Sequence, residues 1–173
     1  MTRVRLLTVV LLLSFAGPAM AQESKSAALV KQLTAALDAA KLDSVAAKDP
    51  ATPDMFYAAL YFPNSELLVV AARYAAPQLL AERLRKKEYR DTYIDLSSAS
   101  VQGSKVFVQD AAADGLSVKG FDVYEEAGKT MAFDGEWKKQ KLSEQEYQKA
   151  FSAADERYSQ ILMALLRQLK PTS

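Results

Sequence analysis

Two apolar runs separated by a short turn constrain the fold of this 173-residue chain more than any other feature. The first run is Met-Phe-Tyr-Ala-Ala-Leu-Tyr-Phe at residues 55–62, and the second is Leu-Leu-Val-Val-Ala-Ala-Arg-Tyr at residues 67–74. Pro63-Asn64-Ser65-Glu66 lies between them and is typical of a turn. Because aromatic and β-branched residues favour strands and both runs are apolar at consecutive positions, we predict a hairpin buried on both faces.

An amphipathic pattern indicates a helix over residues 24–47. Apolar side chains recur there at spacings of three and four among Lys, Gln and Asp, at Leu29, Val30, Leu33, Leu37, Ala40 and Val45. This period places them on one face of an α-helix. Asp49-Pro50 and Pro53 follow, and we predict that they end the helix.

The clearest helix signal begins at Ser143-Glu144-Gln145-Glu146, which is a capping box. Leu142 before it and Tyr147 after it occupy the positions of a hydrophobic staple. An apolar seam with spacings of four and three then continues through Tyr147, Phe151, Ala154, Tyr158, Ile161, Leu165 and Leu169. We predict a helix over residues 144–169 that packs on the sheet in a monomer, although the same spacing also suits a homodimer through this helix.

The middle of the chain carries weaker signals. Pro77 suits the first turn of a helix that reaches about Glu88. Short apolar or alternating segments between Gly and Asp turns predict four further strands, at residues 92–97, 105–109, 118–124 and 130–133. The element order predicts an α+β fold: a mostly antiparallel five- to six-stranded sheet or partly open barrel with amino-terminal, middle and long carboxy-terminal helices. No internal repeat or Gly-rich linker interrupts residues 22–173, so we predict one domain.

Residues 1–21 have the three parts of a secretory signal. Arg3 and Arg5 precede an apolar stretch at residues 6–16, and Ala19 and Ala21 form an A-x-A cleavage site. We expect the mature chain to begin at Gln22 and to be exported to the periplasm or the extracellular space, without a membrane span after cleavage. The brevity of the segment favours a bacterial origin, and no Cys follows it that a lipid could modify.

The composition excludes several kinds of chemistry. The chain has no His and no Cys, so it can form no Ser-His-Asp triad, thiol nucleophile, Cys/His zinc site or disulfide within the chain. Carboxylates, Lys, Tyr and hydroxyl groups remain for catalysis. Of the 22 Lys and Arg residues, two lie in the signal segment, so the mature chain is close to neutral against its 21 acids. We therefore expect no nucleic-acid partner.

Four aspartates fall near predicted strand ends: Asp110, Asp114, Asp122 and Asp134. If some converge, two adjacent carboxylates can form an acid/base pair or hold a hard cation. Asp110-Ala-Ala-Ala-Asp114-Gly115 also resembles the start of a calcium loop, but Ala112 and Phe121 stand at its third and twelfth positions. Turn chemistry explains these acids, so we assign no catalytic and no metal residue, and the ligand-binding residues are not identified.

Other polar clusters have structural explanations. Residues 83–90 form the densest basic patch and residues 138–141 a second, and both are typical of solvated faces. Trp137, the single tryptophan, can stack on a ligand, but such a residue more often closes the edge of a core. The mature chain contains no phosphate-loop, dinucleotide-binding or nucleophile-elbow motif.

The element order resembles two known layouts in topology alone. One is the profilin-like or roadblock-like sheet flanked by helices, whose members mostly bind proteins or small ligands. The other is the pyridoxamine-phosphate-oxidase-like split barrel, which holds flavin mononucleotide (FMN). In the second case Arg73, Arg83, Arg85 or Lys86 would meet the phosphate.

We expect a secreted or periplasmic, non-catalytic binding or interaction module for an unknown protein or small-molecule ligand, without a cofactor. Two alternatives stay open. One is an FMN-binding split-barrel protein of the oxidoreductase type, and the other is a structural partner subunit of an envelope complex.

Overall fold

A computed structural model describes residues 24–63, 66–73, 106–117, 121–133 and 141–169. These residues form one six-stranded antiparallel sheet and two helices. The elements are α1 (Lys25–Ala40), β1 (Ser44–Lys48), β2 (Met55–Phe62), β3 (Glu66–Arg73), β4 (Val106–Asp110), β5 (Asp122–Glu126), β6 (Lys129–Phe133) and α2 (Glu144–Leu169). The strands lie side by side in chain order, and every neighbouring pair is antiparallel. The predicted α+β class is confirmed, and the sheet is open, with β1 and β6 at its edges.

The predicted hairpin is confirmed as β2 and β3, which pair along their full length from Met55 with Arg73 to Phe62 with Glu66. Alternate side chains of these strands point to opposite faces, and both faces are buried. One face joins the helices in the main core. The opposite face forms a second apolar cluster of Ala58, Leu60, Leu68, Val70, Ala72 and Phe107.

The first helix is shorter than predicted. It ends at Ala40, and Lys41 adopts the left-handed conformation with φ 55°. The Lys41 and Leu42 amides donate to the carbonyls of Asp38 and Leu37, which satisfies groups at the helix end. The prediction of a helix to residue 47 was wrong, because Ser44–Lys48 is strand β1 and pairs with β2. Val45 fits the helical spacing by coincidence, and pairing with an apolar strand outweighs that local signal.

The second half of the sheet follows the predicted strands closely, except at β5. β4 and β6 each lie within one residue of their predicted limits, whereas β5 starts at Asp122, four residues later than predicted. Ala127 and Gly128 join β5 to β6 with φ values of 52° and 76°, as a two-residue hairpin turn requires. The predicted middle helix, the strand at residues 92–97, both basic patches except Lys141, and Trp137 lie outside the described residues.

Helix α2 has the predicted limits. The capping box is formed, because the Ser143 amide donates to Glu146 Oε2 at 2.8 Å and the Glu146 amide donates to Ser143 Oγ at 3.2 Å. Near its start, α2 contacts β6 through Phe133, whose ring meets those of Tyr147 and Phe151 edge-on at 5.7 and 5.1 Å between centroids. Further along, its buried residues share the main core with α1. Neither described helix combines the length and apolar character needed to cross a membrane.

Substitution Ile161→Ala is expected to lower the free energy of unfolding by about 2–5 kcal/mol, because Ile161 is fully buried in the main core and its loss leaves a cavity. Urea denaturation at two protein concentrations measures the change, which should not depend on concentration. Met163→Ala on the same helix is the matched control, since Met163 is 40% exposed and its loss should cost little. A melting temperature that rises with concentration in the wild type and not in Ile161→Ala would instead indicate a dimer interface.

Candidate functional site

Three of the four aspartates meet at one end of the sheet. Asp110 ends β4, Asp122 begins β5, and Asp114 lies in the connecting loop, which we call the β4–β5 loop (residues 111–117). Because antiparallel neighbours bring these strand ends together, a carboxylate oxygen of each residue lies within 4.8 Å of the others. Asp110 and Asp122 are 0% exposed, whereas Asp114 is exposed. Asp134 lies outside the described residues.

The two buried carboxylates are hydrogen-bonded to the β4–β5 loop. Asp110 Oδ1 accepts from the Asp114 amide at 3.0 Å, and Oδ2 accepts from the Gly115 amide at 2.8 Å. Asp122 accepts from the amides of Ala111 at 2.9 Å and Ser117 at 2.7 Å. These four bonds satisfy backbone donors of the loop, which is not itself part of a strand.

Asp110 also connects the loop to helix α2. The Tyr158 hydroxyl donates to Asp110 Oδ2 at 3.2 Å, and both groups are completely buried. Tyr158 belongs to the predicted apolar seam of α2, so the sequence pattern located it but gave no sign of its hydroxyl partner. A fully buried tyrosine needs such a partner, because an unpaired hydroxyl in the core is costly.

A further acid, Asp155, holds the start of α1. Its carboxylate accepts from the backbone amides of Lys25 at 2.6 Å and Ser26 at 3.0 Å, and Ser26 Oγ in turn accepts from the Leu116 amide at 2.9 Å. The Lys25 ammonium group pairs with Glu156. A carboxylate at a helix amino terminus complements the helix dipole. Helix α1, helix α2 and the β4–β5 loop are therefore tied together at one place.

Asp155 and Ser26 were not among the predicted site residues. A signal for Asp155 was present, because it lies four residues after Phe151 and three before Tyr158, on the apolar face of α2. An acid at such a position is rarely buried unless it has a partner, so it marks a specific contact. Ser26 had no comparable signal, since its partner is a loop amide 90 residues away.

Burial dominates the electrostatics of this cluster. It raises the pKa of Asp110 to about 7, with a further increase from the charge of Asp122, while the amides of Asp114 and Gly115 act in the opposite direction. Burial likewise raises the pKa of Asp122 to about 6. The pKa of Tyr158 lies well above its ordinary value, through burial and then the charge of Asp110. Within the described ranges, no Lys or Arg forms an ion pair with Asp110 or Asp122.

A second polar cluster lies over the helix-covered face, around Arg157 of α2. The Arg157 guanidinium group lies over the Tyr57 ring at 5.8 Å from its centroid and donates to the Tyr57 hydroxyl at 3.4 Å. Arg157 Nε is 3.9 Å from Glu126, which also accepts from the Tyr124 hydroxyl at 2.6 Å. These contacts join α2 to β2 and β5, and cation–π contact with a partly buried ring stabilises the packing.

The cationic residues considered for a phosphate are not brought together in the described part of the chain. Arg73 ends β3 and pairs with Asp54 at 3.3 Å on an exposed surface. Arg83, Arg85 and Lys86 lie outside the described residues. An open depression of about 440 Å³ lies at the loop end of the sheet, lined by Asp38, Lys41, Leu42, Asp43 and Pro63. Phe121, which is 78% exposed, lies at this same end.

We expect no specific calcium dependence of stability. The spacing of the three carboxylates would let them share a divalent cation, but backbone amides and Tyr158 already use the oxygens of Asp110 and Asp122. The measurement is a thermal melt with micromolar calcium against one with a chelator. An increase of several degrees in wild type that disappears in Asp114→Ala would contradict this expectation.

The fold and this cluster define the chain as an α+β protein, with an open antiparallel meander whose one face is covered by two helices and with a buried acidic junction. No protein-family model matches the sequence, and searches of curated proteins and of solved structures found no match.

Proposed function

We propose that this chain is an exported, non-catalytic binding or interaction module that acts in the periplasm or the extracellular space. The observation that carries the non-catalytic part is the burial of its central acids. Asp110 and Asp122 have no exposed surface, and both oxygens of each accept a backbone hydrogen bond.

A catalytic acid or base must come within hydrogen-bond distance of its substrate. Carboxylates that are fully buried and hydrogen-bonded to the β4–β5 loop have no such access. Tyr57 and Tyr158, other groups capable of proton transfer, are also buried and engaged with Arg157 and Asp110. This pattern supports a structural role for the cluster and a function exerted through the surface.

Native mass spectrometry of the protein purified from the envelope fraction of its own host tests the proposal. We expect a mature polypeptide that begins at Gln22, together with a non-covalent adduct of a partner or ligand. Met1 at the amino terminus would contradict export, and a bare monomer under all conditions would count against a binding role.

Matched variants then locate the contact. Phe121→Ser changes the most exposed large apolar side chain of the described residues, at the loop end of the sheet, and Met163→Ser changes an exposed one on α2. Loss of the adduct in Phe121→Ser alone would place binding at the loop end. Loss in Met163→Ser alone would place it on the helix surface.

The same preparation distinguishes the enzyme alternative. Bound FMN would give a yellow protein and a flavin mass in the adduct. Turnover of a substrate by the colourless protein would also contradict the non-catalytic proposal. A stable complex with one envelope protein, without any small ligand, would favour the structural partner subunit.

A further inference from the structure

We propose that the β4–β5 loop is a pH-sensitive latch, which is closed against α1 and α2 while Asp110 or Asp122 holds a proton and which loosens when both are ionised. The latch is a property of the fold and is independent of what the protein binds. Its parts are the two buried carboxylates, the loop amides that they accept from, and Tyr158.

The geometry makes the loop depend on the charge state of the pair. Four of its amides donate to Asp110 or Asp122, and a fifth, that of Leu116, donates to Ser26 at the start of α1. Tyr158 adds a contact from α2. The loop therefore contacts both carboxylates through its amides and meets water through Ala112 and Asp114, which are exposed.

Among the described residues, the groups that face Asp110 contribute no compensating cation. Asp122 faces it from β5, Asp114 from the loop, and the Tyr158 hydroxyl from α2. Its partner on β3 is the apolar Leu67, and α1 presents the uncharged Ser26 near the loop. Asp155 of α2 accepts from the amino terminus of α1. Two adjacent buried carboxylates with these neighbours cannot both ionise at low cost, so one retains a proton as the pH rises.

The direction of the effect follows from the raised pKa values, about 7 for Asp110 and about 6 for Asp122. The folded protein binds protons that the unfolded chain, with ordinary aspartate pKa values, has already released. Stability from this pair is complete below the unfolded pKa and is lost as the pH rises through the folded values. The loss of stability is therefore expected between about pH 5 and 8. Glu146 and Glu156, whose pKa values are lowered by hydrogen bonds from Ser143 and Lys25, are already ionised there.

Opening of the loop relieves the ionised pair, because it admits water to the carboxylates. The sheet hydrogen bonds of β2 and β3 need not change. Loss of closure should therefore appear first in the loop amides and at the start of α1, and only later as global unfolding.

The test is a pH titration of the full mature chain by NMR from pH 5 to 8. We expect two aspartate carboxyl carbons to titrate within this window. Hydrogen-exchange protection of the amides of Asp114, Gly115 and Leu116 should fall by at least about tenfold across it, as a shift of one pKa unit implies. Protection of β3 amides should fall less.

Asp122→Asn removes one of the two charges, so the loop amides of this variant should keep their protection as the pH rises. Asp38→Asn, at an exposed site on α1, is the control and should lose loop protection with pH as the wild type does. If Asp122→Asn does not fold, the carboxyl titration of the wild type still decides the matter. The proposal is overturned if all aspartate carboxyls titrate below pH 5, or if loop protection is constant or rises with pH. It is also overturned if a chelator abolishes the effect, since a bound cation would then explain it.

Discussion

Substitution Val69→Asp is expected to abolish folding. Val69 lies in the middle of β3, paired with Ala59 on one side and Val108 on the other, and is 1% exposed within the main core. An unpaired carboxylate there costs several kcal/mol, comparable with the whole stability of a domain of this size. Circular dichroism and the yield of soluble protein measure the result.

The matched control for this substitution is Lys48→Asp, which places the same side chain at an exposed position of the edge strand β1. It should leave a cooperative unfolding transition with a change of about 0.5 kcal/mol or less. Soluble Val69→Asp protein that unfolds cooperatively would show that β3 does not occupy a buried central position.

The second large effect is expected for Gly115→Ala. Gly115 has φ +92°, and a Cβ atom there would lie against the backbone of α1, 2.5 Å from Ala27 Cα and 2.8 Å from the Ser26 carbonyl carbon. Backbone atoms cannot rotate away as a flexible side chain does, so the loop or the helix must move. The overlap and the strained φ each cost about 1–3 kcal/mol, and the Leu116 to Ser26 hydrogen bond would be lost as well.

Gly128→Ala separates these two causes. Gly128 also has a positive φ, +76°, but no atom lies within 4 Å of a Cβ built there. We therefore expect about 1 kcal/mol for Gly128→Ala and about 2–5 kcal/mol for Gly115→Ala, measured by urea denaturation. Equal losses for the two substitutions would mean that the loop does not pack closely on α1.

The Val69 and Gly115 substitutions test different contacts of the same fold. Val69 tests the sheet that supports both helices, whereas Gly115 tests the contact that closes the loop over the buried acids. Since Gly115 also donates to Asp110, a displaced loop should admit water to that carboxylate. Gly115→Ala should accordingly lower the pKa of Asp110 towards its ordinary value, which the same NMR titration measures.

Local sequence patterns were sufficient to predict those elements in which one interaction dominates. The apolar runs that became β2 and β3 admit few alternatives, because two consecutive apolar segments around a Pro-Asn-Ser turn can be buried together only as paired strands. The start of α2 was also predictable, because the capping box acts within a few residues of Ser143.

Local sequence patterns did not predict the structure correctly where the same residues suit two different elements. Val45 continues the helical spacing of α1, yet it pairs with Ala59, and this pairing was decided by an apolar strand about ten residues further on. The late start of β5 has a similar origin, since Asp122 is held by the amides of Ala111 and Ser117. In both cases a partner distant in sequence supplies hydrogen bonds that the local pattern does not contain.

The sequence by itself determined the α+β class, the central hairpin, the length of α2 and the absence of histidine and cysteine chemistry. Only the tertiary structure decided that Asp110 and Asp122 meet, that Asp155 caps α1, and that Tyr158 and Ser26 complete the junction. Periodicity and turn chemistry are properties of neighbouring residues, so the sequence carries them directly. The pKa of a buried acid depends instead on which strand ends, loop amides and helix faces surround it, and the packing of elements as far apart as residues 26 and 155 determines those surroundings.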